Sequence, residues 1–501
     1  MNNQTKSIKN LVYLALGEAV AVVCGLILPR LWAVSYGSEV NGLLSSLTQF
    51  LMYLYLFEAG VGTATMQALY KPVALQDWQQ INRVLAAAHN YYRKTGFCYL
   101  GGIILLSIVY PFIADSSLSY WIIMGAVFFS GLGNVVNFWF KGKYTYLLQT
   151  DGKLYILTNL TTIVTILTSL SKVILIMLDI NIVLILAVSF MIQCLETAFV
   201  LWYIKKHYPN LNLDTEPDYQ AISQKNSVVV HQITSLIFYN TDVVILTLLC
   251  DLRVVSVYSM FKLVTAHLQK LIDIPFKSLS FSLGQIFHVD RSLFMKQIDL
   301  VESLNSALVY ALFSVALFLF LPFMRLYTAG ITDINYIDPY LAVLFVACSL
   351  LDQSRRPLVS VIDYAGHFQK TLPYTIAEAT INLVTSVIGA FCFGIYGVLF
   401  GTVVALLYRT NQVFFYSNRK ILGRSPKTTY GIYFLNIVLF VATQFVFNWL
   451  FGALEISSYL SFAFVGFCCA IVSLAMMFAG HCLFLPHCRR WVVSAFRGKI
   501  R

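Results

Sequence analysis

The chain has 501 residues, of which 58% are hydrophobic, 15% aromatic and only 11% charged. A water-facing surface draws on about 25% charged residues, so this composition excludes a soluble multidomain protein and describes a body immersed in lipid. The formal charge of +11 comes from 34 Lys and Arg against 23 Asp and Glu, but the basic residues sit in short gaps between apolar runs. That placement orients a membrane protein; it is not a nucleic-acid surface.

A spanning helix needs roughly 17 to 25 mostly apolar residues. About fourteen segments qualify, at 10–35, 43–68, 95–114, 118–140, 153–178, 180–204, 227–250, 254–284, 304–327, 338–365, 372–393, 395–417, 430–452 and 458–480. The first is too long for a signal-peptide core, so it is expected to stay as the first span. With the N-terminus placed in the cytoplasm, the Lys and Arg in and bordering alternate gaps collect on the inner side. One inner gap holds Lys71, Arg83, Arg93 and Lys94, the next Lys141, Lys143 and Lys153, and a later one Arg409, Arg419, Lys420, Arg424 and Lys427. Only Arg253 and Arg325 fall opposite, which predicts that both termini are cytoplasmic.

The gaps carry further expectations. Between Gln76 and Thr95, the residues Trp78, Ile81, Val84, Leu85, Ala88 and Tyr92 recur at helical spacing, predicting an amphipathic helix at the membrane interface. Lys205 to Asn226, with Pro209 and Pro217, reads as a linker. The expected fold is an all-α polytopic membrane protein. It has a six-helix lobe over 1–210, a second over 225–420, and two further helices with a basic tail over 428–501, an order that suits a duplicated transporter. Gly397 and Gly401 form a small-xxx-small pattern for close helix packing. The ten cysteines are scattered, apart from Cys468–Cys469 and the tail residues Cys482 and Cys488, and make no secreted disulfide framework.

Charge at bilayer depth is the feature that asks for a function, since a central Arg, Lys or Asp costs about 2.5–3.5 kcal/mol. The membrane cations are Arg30, Lys172, Lys262, Lys270, Lys277, Arg355 and Arg356; the acids include Glu18, Glu58, Glu196, Asp242, Asp273, Asp352 and Glu378. Lys262, Gln269, Lys270, Asp273 and Lys277 fall within about 100° of one another at 100° per residue, a cationic stripe on segment eight. In segment ten, Asp352-Gln353-Ser354-Arg355-Arg356-Pro357 predicts a kinked or opened helix. Asp352 is placed to pair with Arg356 at i,i+4, which leaves Arg355 uncompensated. Away from their ends, segments eight and ten then hold five cations against two anions, with Asp363 near one end, a surplus suited to phosphate.

No enzyme signature competes with this. The chain has no G-x-x-x-x-G-K-[ST] loop, and its outer gaps are too short for the catalytic loops of a membrane polymerase or ligase. His481–Cys482 and His487–Cys488 straddle the end of the last helix with no second shell, and are not read as a metal site.

Several stretches resemble the polysaccharide-transport branch of the multidrug/oligosaccharidyl-lipid/polysaccharide (MOP) exporter superfamily, which includes the Wzx-type lipid-linked oligosaccharide flippases. These are Tyr36-Gly37-Ser38-Glu39-Val40-Asn41-Gly42, Phe57-Glu58-Ala59-Gly60-Val61-Gly62-Thr63-Ala64, and Asn240-Thr241-Asp242-Val243-Val244-Ile245-Leu246 running on to Val257-Tyr258-Ser259. The resemblance implies a MATE/MOP-like fold in a bacterial inner membrane and a substrate of undecaprenyl-pyrophosphate-linked glycan. That glycan would be an O-antigen, capsule or exopolysaccharide repeat unit, moved to the outer leaflet by alternating access. Arg355, Arg356, Lys262, Lys270, Lys277, Arg30 and Lys172 become candidates for the pyrophosphate headgroup. Glu58 and Asp242, with Glu18 and Glu378, become candidates for a carboxylate serving H+ or Na+ coupling. No cofactor is implied; glycosyltransferases and a polysaccharide polymerase are the expected partners. A lipid II flippase and a drug/cation antiporter are the rival readings within the superfamily.

Overall fold

The computed structural model describes residues 3–58, 60–222, 226–486 and 488–490. Among them the chain is helical throughout, with no strand and a single isolated β-bridge between Asp115 and Asp251. The helices are α1 (Asn3–Tyr36), α2 (Ser38–Leu54), α3 (Val61–Leu75), α4 (Trp78–Ile113), α5 (Tyr120–Val136), α6 (Gly142–Thr150), α7 (Leu154–Met177), α8 (Ile182–His207) and α9 (Asn226–Leu249). They continue with α10 (Leu252–Val289), α11 (Arg291–Tyr327), α12 (Pro339–Ser354), α13 (Arg356–Tyr364), α14 (Phe368–Phe393), α15 (Ile395–Tyr416), α16 (Lys427–Phe451) and α17 (Tyr459–Phe484).

Eleven helical stretches among the described residues are long and apolar enough to cross a membrane, so the chain is a multi-pass membrane protein. Expected segments seven, eight and ten fall on α9, α10 and the α12–α13 pair, outside those eleven. Only Leu236–Leu249 of α9 is strongly apolar, and α10 and α12–α13 carry the charges singled out above. Phe391, Phe434, Phe445, Trp449, Leu460 and Phe464 are each exposed by two-thirds or more, which only a hydrocarbon surround makes favourable.

Two compact units divide the chain, Met1–Ser259 and Met260–Arg501. In the first, α1 lies along α7 and α4 along α5, while α5 and α7 both pack on α8. One end is closed by a core around Trp32, Leu43, Leu47, Tyr110, Val127 and Ile185. Leu69, Ile81, Leu85, Leu148, Val200 and Ile204 form the core at the other.

That second core corrects an expectation. The stretch 78–95 is not a separate helix lying at the interface; it is the first half of α4, which runs unbroken for 36 residues, about 54 Å. Its apolar stripe, Ile81, Val84, Leu85, Ala88 and Tyr92, is buried in protein. Helical periodicity in a sequence records that one face avoids water; it carries no record of whether lipid or protein covers that face.

Still within the first unit, α2 crosses α9 and the start of α10. A Cβ on Gly42 would collide with the Leu252 carbonyl, so only glycine permits this approach. Side-chain hydrogen bonds line the crossing: Asn41 Nδ2 donates to Ser256 Oγ at 2.7 Å, Ser46 Oγ and Thr247 Oγ1 are 2.7 Å apart, and Tyr53 Oη and Thr241 Oγ1 are 2.6 Å apart. Beside it, Glu39 accepts from Ser116 Oγ at 2.7 Å and Ser117 Oγ at 2.6 Å.

In the second unit α11 is central and meets α12, α16 and α17. Phe261 stacks between Phe320 and Phe345. The Arg424 guanidinium bonds Asp299 and Glu302, and Glu302 is fully buried. The α14–α15 hairpin is drawn tight by glycine: Gly397 rests on the Gly389 backbone and Gly401 on Ser386, the packing that the small-xxx-small pattern predicts. Gly397→Ala puts a methyl into the Gly389 carbonyl and should cost about 1–3 kcal/mol. The check is the apparent melting temperature in detergent, which should fall, while Gly431→Ala, at a position open to space, should leave it unchanged.

Candidate functional site

The first unit carries an open cavity of about 1030 Å³, lined by α1, α2, α5, α7 and α8 with Leu236 of α9 at its margin. α1 contributes Leu28, Pro29 and Trp32, and α2 contributes Leu44, Leu47 and Leu51 together with the polar Asn41, Ser45 and Thr48. α7 brings a polar file: Thr161, Thr165, Thr168, Ser169 and Lys172. Their offsets of 4, 7, 8 and 11 residues from Thr161 keep them on one helix face. Two charged residues line the cavity, Lys172 and Glu196. Glu196 is neutralised by Lys141 Nζ at 2.7 Å and accepts from Thr161 Oγ1 at 3.1 Å. Lys172 is half-buried, and no acid among the described residues pairs with it.

The expected carboxylates stand elsewhere. Glu58 closes a short 3-10 turn, Tyr55–Glu58, between α2 and α3 and is 7% exposed. Its Oε1 accepts from Tyr92 Oη at 2.6 Å, Gly62 N at 3.1 Å and Tyr146 Oη at 3.4 Å. A Cβ at Gly62 would occupy the space of the Tyr146 hydroxyl. This cradle of neutral donors serves one carboxyl oxygen and offers it no cation. Asp242, 4% exposed, accepts from Tyr258 Oη at 2.9 Å. Glu18 is exposed on α1 and Arg30 half-buried on the same helix, and neither lines the cavity.

The second unit gathers the arginines and changes their meaning. The chain does break at the expected place, α12 ending at Ser354 and α13 beginning at Arg356 with Pro357 in its first turn. Arg355 is not uncompensated, however. It donates to Asp352 at 2.9 Å and to Glu378 of α14 at 2.5 Å, and is 6% exposed. Arg356 is one-third exposed and reaches Asp352 at 3.4 Å and Asp273 of α10 at 3.6 Å. Arg409, expected in an inner gap, lies inside α15 at 8% exposure, 3.4 Å from Glu378. Three arginines thus meet three acids, because Glu378 and Arg409 come from segments that counting along segments eight and ten alone leaves out. Lys262 is half-buried and Lys270 exposed on α10. The side chain of Lys277 lies outside the described residues, as does His487 beside the tail cysteines. His481 is buried and contacts Asn436 Oδ1 at 3.0 Å.

Sequence reasoning passed over the file on α7, although its spacing is visible in the letters. It also passed over two lysines assigned to an inner gap. Lys141 sits in a π-turn, Asn137–Lys141, that joins α5 to α6 and aims its ammonium at Glu196. Lys143 is 4% exposed, donates to the Trp139 carbonyl at 3.3 Å and lies over the Tyr144 ring.

No protein-family model matches the chain, and no curated protein matches it in sequence. Solved structures do match in shape. The lipid II flippase MurJ in an inward closed conformation aligns over 94% of this chain and 99% of its own at a TM-score of 0.67 and 12% identity. An inward-facing multidrug resistance MATE family transporter of the MOP superfamily aligns over 82% and 98%, at 0.62 and 13%. The MATE multidrug transporter DinF-BH aligns over 84% and 96%, at 0.57 and 13%. The chain therefore has the fold of the MOP-superfamily transporters.

Proposed function

We propose that the protein is a flippase that carries an undecaprenyl-pyrophosphate-linked oligosaccharide from the cytoplasmic to the outer leaflet of a bacterial inner membrane. The observation that carries this reading is the open cavity in the first unit, set inside a MOP-transporter fold and lined by apolar side chains and a file of hydroxyls. Moving an ionised group from water into a medium of low dielectric costs on the order of 20 kcal/mol, so a glycan on a pyrophosphate link crosses hydrocarbon only within a polar enclosure. At about 1030 Å³ the chamber stands at the upper end of small-ligand pockets, which run to about 1,000 Å³, and suits several sugar rings.

In this reading the fourteen helices form lobes over 1–210 and 225–420 with an appended pair over 428–501. The crossing of α2 with α9 and the start of α10 is, in this reading, a contact that opens during transport. Its bonds are side-chain pairs between hydroxyls and amides, each worth about 1 kcal/mol, weak enough to part and reform in each transport cycle. Arg356, Lys262, Lys270, Lys277, Arg30 and Lys172 are the headgroup contacts, and Glu58 with Asp242 the carboxylates for H+ or Na+ coupling. Arg355 and Glu378 act on one another and hold the α12–α13 break. Lipid II is the second reading, favoured by the shape match to MurJ.

Reconstituted vesicles holding a fluorescent undecaprenyl-pyrophosphate-linked oligosaccharide, or lipid II, separate the two. Accessibility of the probe to an external quencher should change with the oligosaccharide lipid and not with lipid II; transfer of neither would end the reading. In a background lacking the native cysteines, Asn41→Cys with Ser256→Cys should cross-link on oxidation and halt transfer, with reductant restoring it. Undiminished transfer by the cross-linked protein would show that the crossing does not open. The two arginines should separate as well. Arg355→Ala leaves Asp352 and Glu378 without their main partner and should cost about 3–5 kcal/mol, read as lost folded yield. Arg356→Ala should retain the yield and lower transfer.

A further inference from the structure

We infer that the hollow between α12, α14 and α15 of the second unit is a groove for an isoprenoid chain, which holds the tail of the carried lipid in the leaflet where the α14–α15 turn lies. This rests on the flippase reading and adds to it a site for the part of the substrate that stays in hydrocarbon. With both termini cytoplasmic that turn faces outward, so the tail held there is that of the delivered lipid.

The hollow has a volume of about 750 Å³. It runs along α14 from Thr385 to Phe393, eight residues and about 12 Å of helix. Both α14 and α15 are long and apolar enough to span a membrane, which sets the hollow in hydrocarbon. Its floor is backbone: Gly389 and Gly397 touch there, and a Cβ on either would collide with the other's carbonyl. Neither has a side chain to swing in, so the floor stays where the hairpin contact puts it. Ile388, Phe393 and Phe400 line the hollow and are each more than half exposed, so it is open to the surrounding lipid. Leu344 of α12 completes the lining.

Nothing in this lining asks for a polar partner. Thr385 Oγ1 donates to the Ile381 carbonyl at 2.6 Å, and Tyr396 Oη donates to Asp338 at the start of α12. The second bond also sets the depth. Tyrosine favours the boundary between membrane and water, and Asp338 belongs on its wet side, so the hollow starts at headgroup level and descends into the bilayer. A lipid whose polar end rests at the boundary lays its chain along it.

The chemistry of the chain follows from the forces available. A chain already in hydrocarbon gains no hydrophobic energy on entering an apolar groove. Retention therefore depends on contact and on how little freedom the chain gives up. A saturated acyl chain must freeze a rotor at every carbon. An isoprenoid chain carries a rigid double bond in each repeat and freezes fewer. Its methyl branches fit the step at the two glycines, one helical turn from Phe393 and Phe400. The bland alternative is a dent that any phospholipid chain fills; a fixed floor without side chains favours the stiffer, branched one.

The test uses the full chain in lipid nanodiscs with two photoactivatable probes, a diazirine-bearing polyprenyl phosphate and a diazirine-bearing phosphatidylethanolamine, and maps the adducts by mass spectrometry. The polyprenyl probe should label the stretch 385–404. Unlabelled polyprenyl phosphate should compete that labelling away, and added phosphatidylethanolamine should not. Cys392 lines the hollow and is exposed, two residues before the turn at Gly394. In a protein whose other cysteines are replaced, a bulky thiol reagent on Cys392 should lower polyprenyl labelling about tenfold. The same reagent on Val441→Cys, exposed on α16, should leave it unchanged. The protein is folded before the reagent is added, so lost labelling is not lost fold. Equal labelling of 385–404 by both probes, failure of competition, or indifference to the blocked Cys392 overturns the groove. The vesicle assay judges the flippase reading separately. Transfer of oligosaccharide lipid without selective labelling sinks the groove alone; selective labelling without transfer keeps an isoprenoid site and sinks the flippase reading.

Discussion

A charge inside hydrocarbon has to be met by an opposite charge, by water or by a ligand, and most of this molecule's internal architecture follows from that demand. Each buried acid among the described residues of the second unit lies against a guanidinium: Asp352 and Glu378 against Arg355, Glu378 again against Arg409, and Glu302 against Arg424. Such pairs add little net stability, since desolvation offsets the attraction, but removing one partner is costly because the other stays buried. Arginine suits the task because its planar fork engages two carboxylates at once, as Arg355 does with residues from two helices. The cluster ties α12–α13, α14 and α15 together where the backbone is interrupted at Arg355, and supplies there the order that a continuous helix would otherwise give.

The backbone obeys the same rule. Its polar groups find no water in the bilayer core, so helices are the permitted form and irregularities occur where protein covers them. At the 3-10 turn Tyr55–Glu58 the buried residue is Glu58, held by Tyr92 and Tyr146, and the π-turn at Asn137–Lys141 packs on α4 and α8. Each irregularity delivers a charged side chain to an interior position that a regular helix would have turned elsewhere, Glu58 in one case and Lys141 in the other. π-turns are frequent at functional positions for this reason.

Helix order and the membrane setting were legible in the letters because they depend on summed hydropathy and on where Lys and Arg accumulate, both properties of segments. The break beside Pro357 was legible because proline acts through its own covalent ring. Partnership was not. Whether Arg355 is spare depends on Glu378, 23 residues away on another helix, and no local pattern links the two. Counting charge along segments eight and ten gave a surplus that α14 and α15 remove. Arg409, Lys141 and Lys143 were sent to inner gaps because a charged residue near the end of an apolar run reads as the end of the helix. In the folded chain Glu196, Glu378 and backbone carbonyls meet them, and the helices run on. The amphipathic first half of α4 failed for a related reason, since burial against Leu147 and Val200 leaves the same periodicity as burial in lipid.

The two units therefore treat charge in opposite ways. In the second, the arginines that composition offered as a phosphate site serve largely to hold helices around an interrupted span. In the first, where the sequence shows fewer membrane cations, Lys172 lines the cavity and no acid among the described residues pairs with it. A count of cations ranks the second unit as the place of recognition; a count of cations left unmet ranks the first. The second count is the physically relevant one, because a ligand's anion gains most from a charge whose field no neighbouring acid cancels.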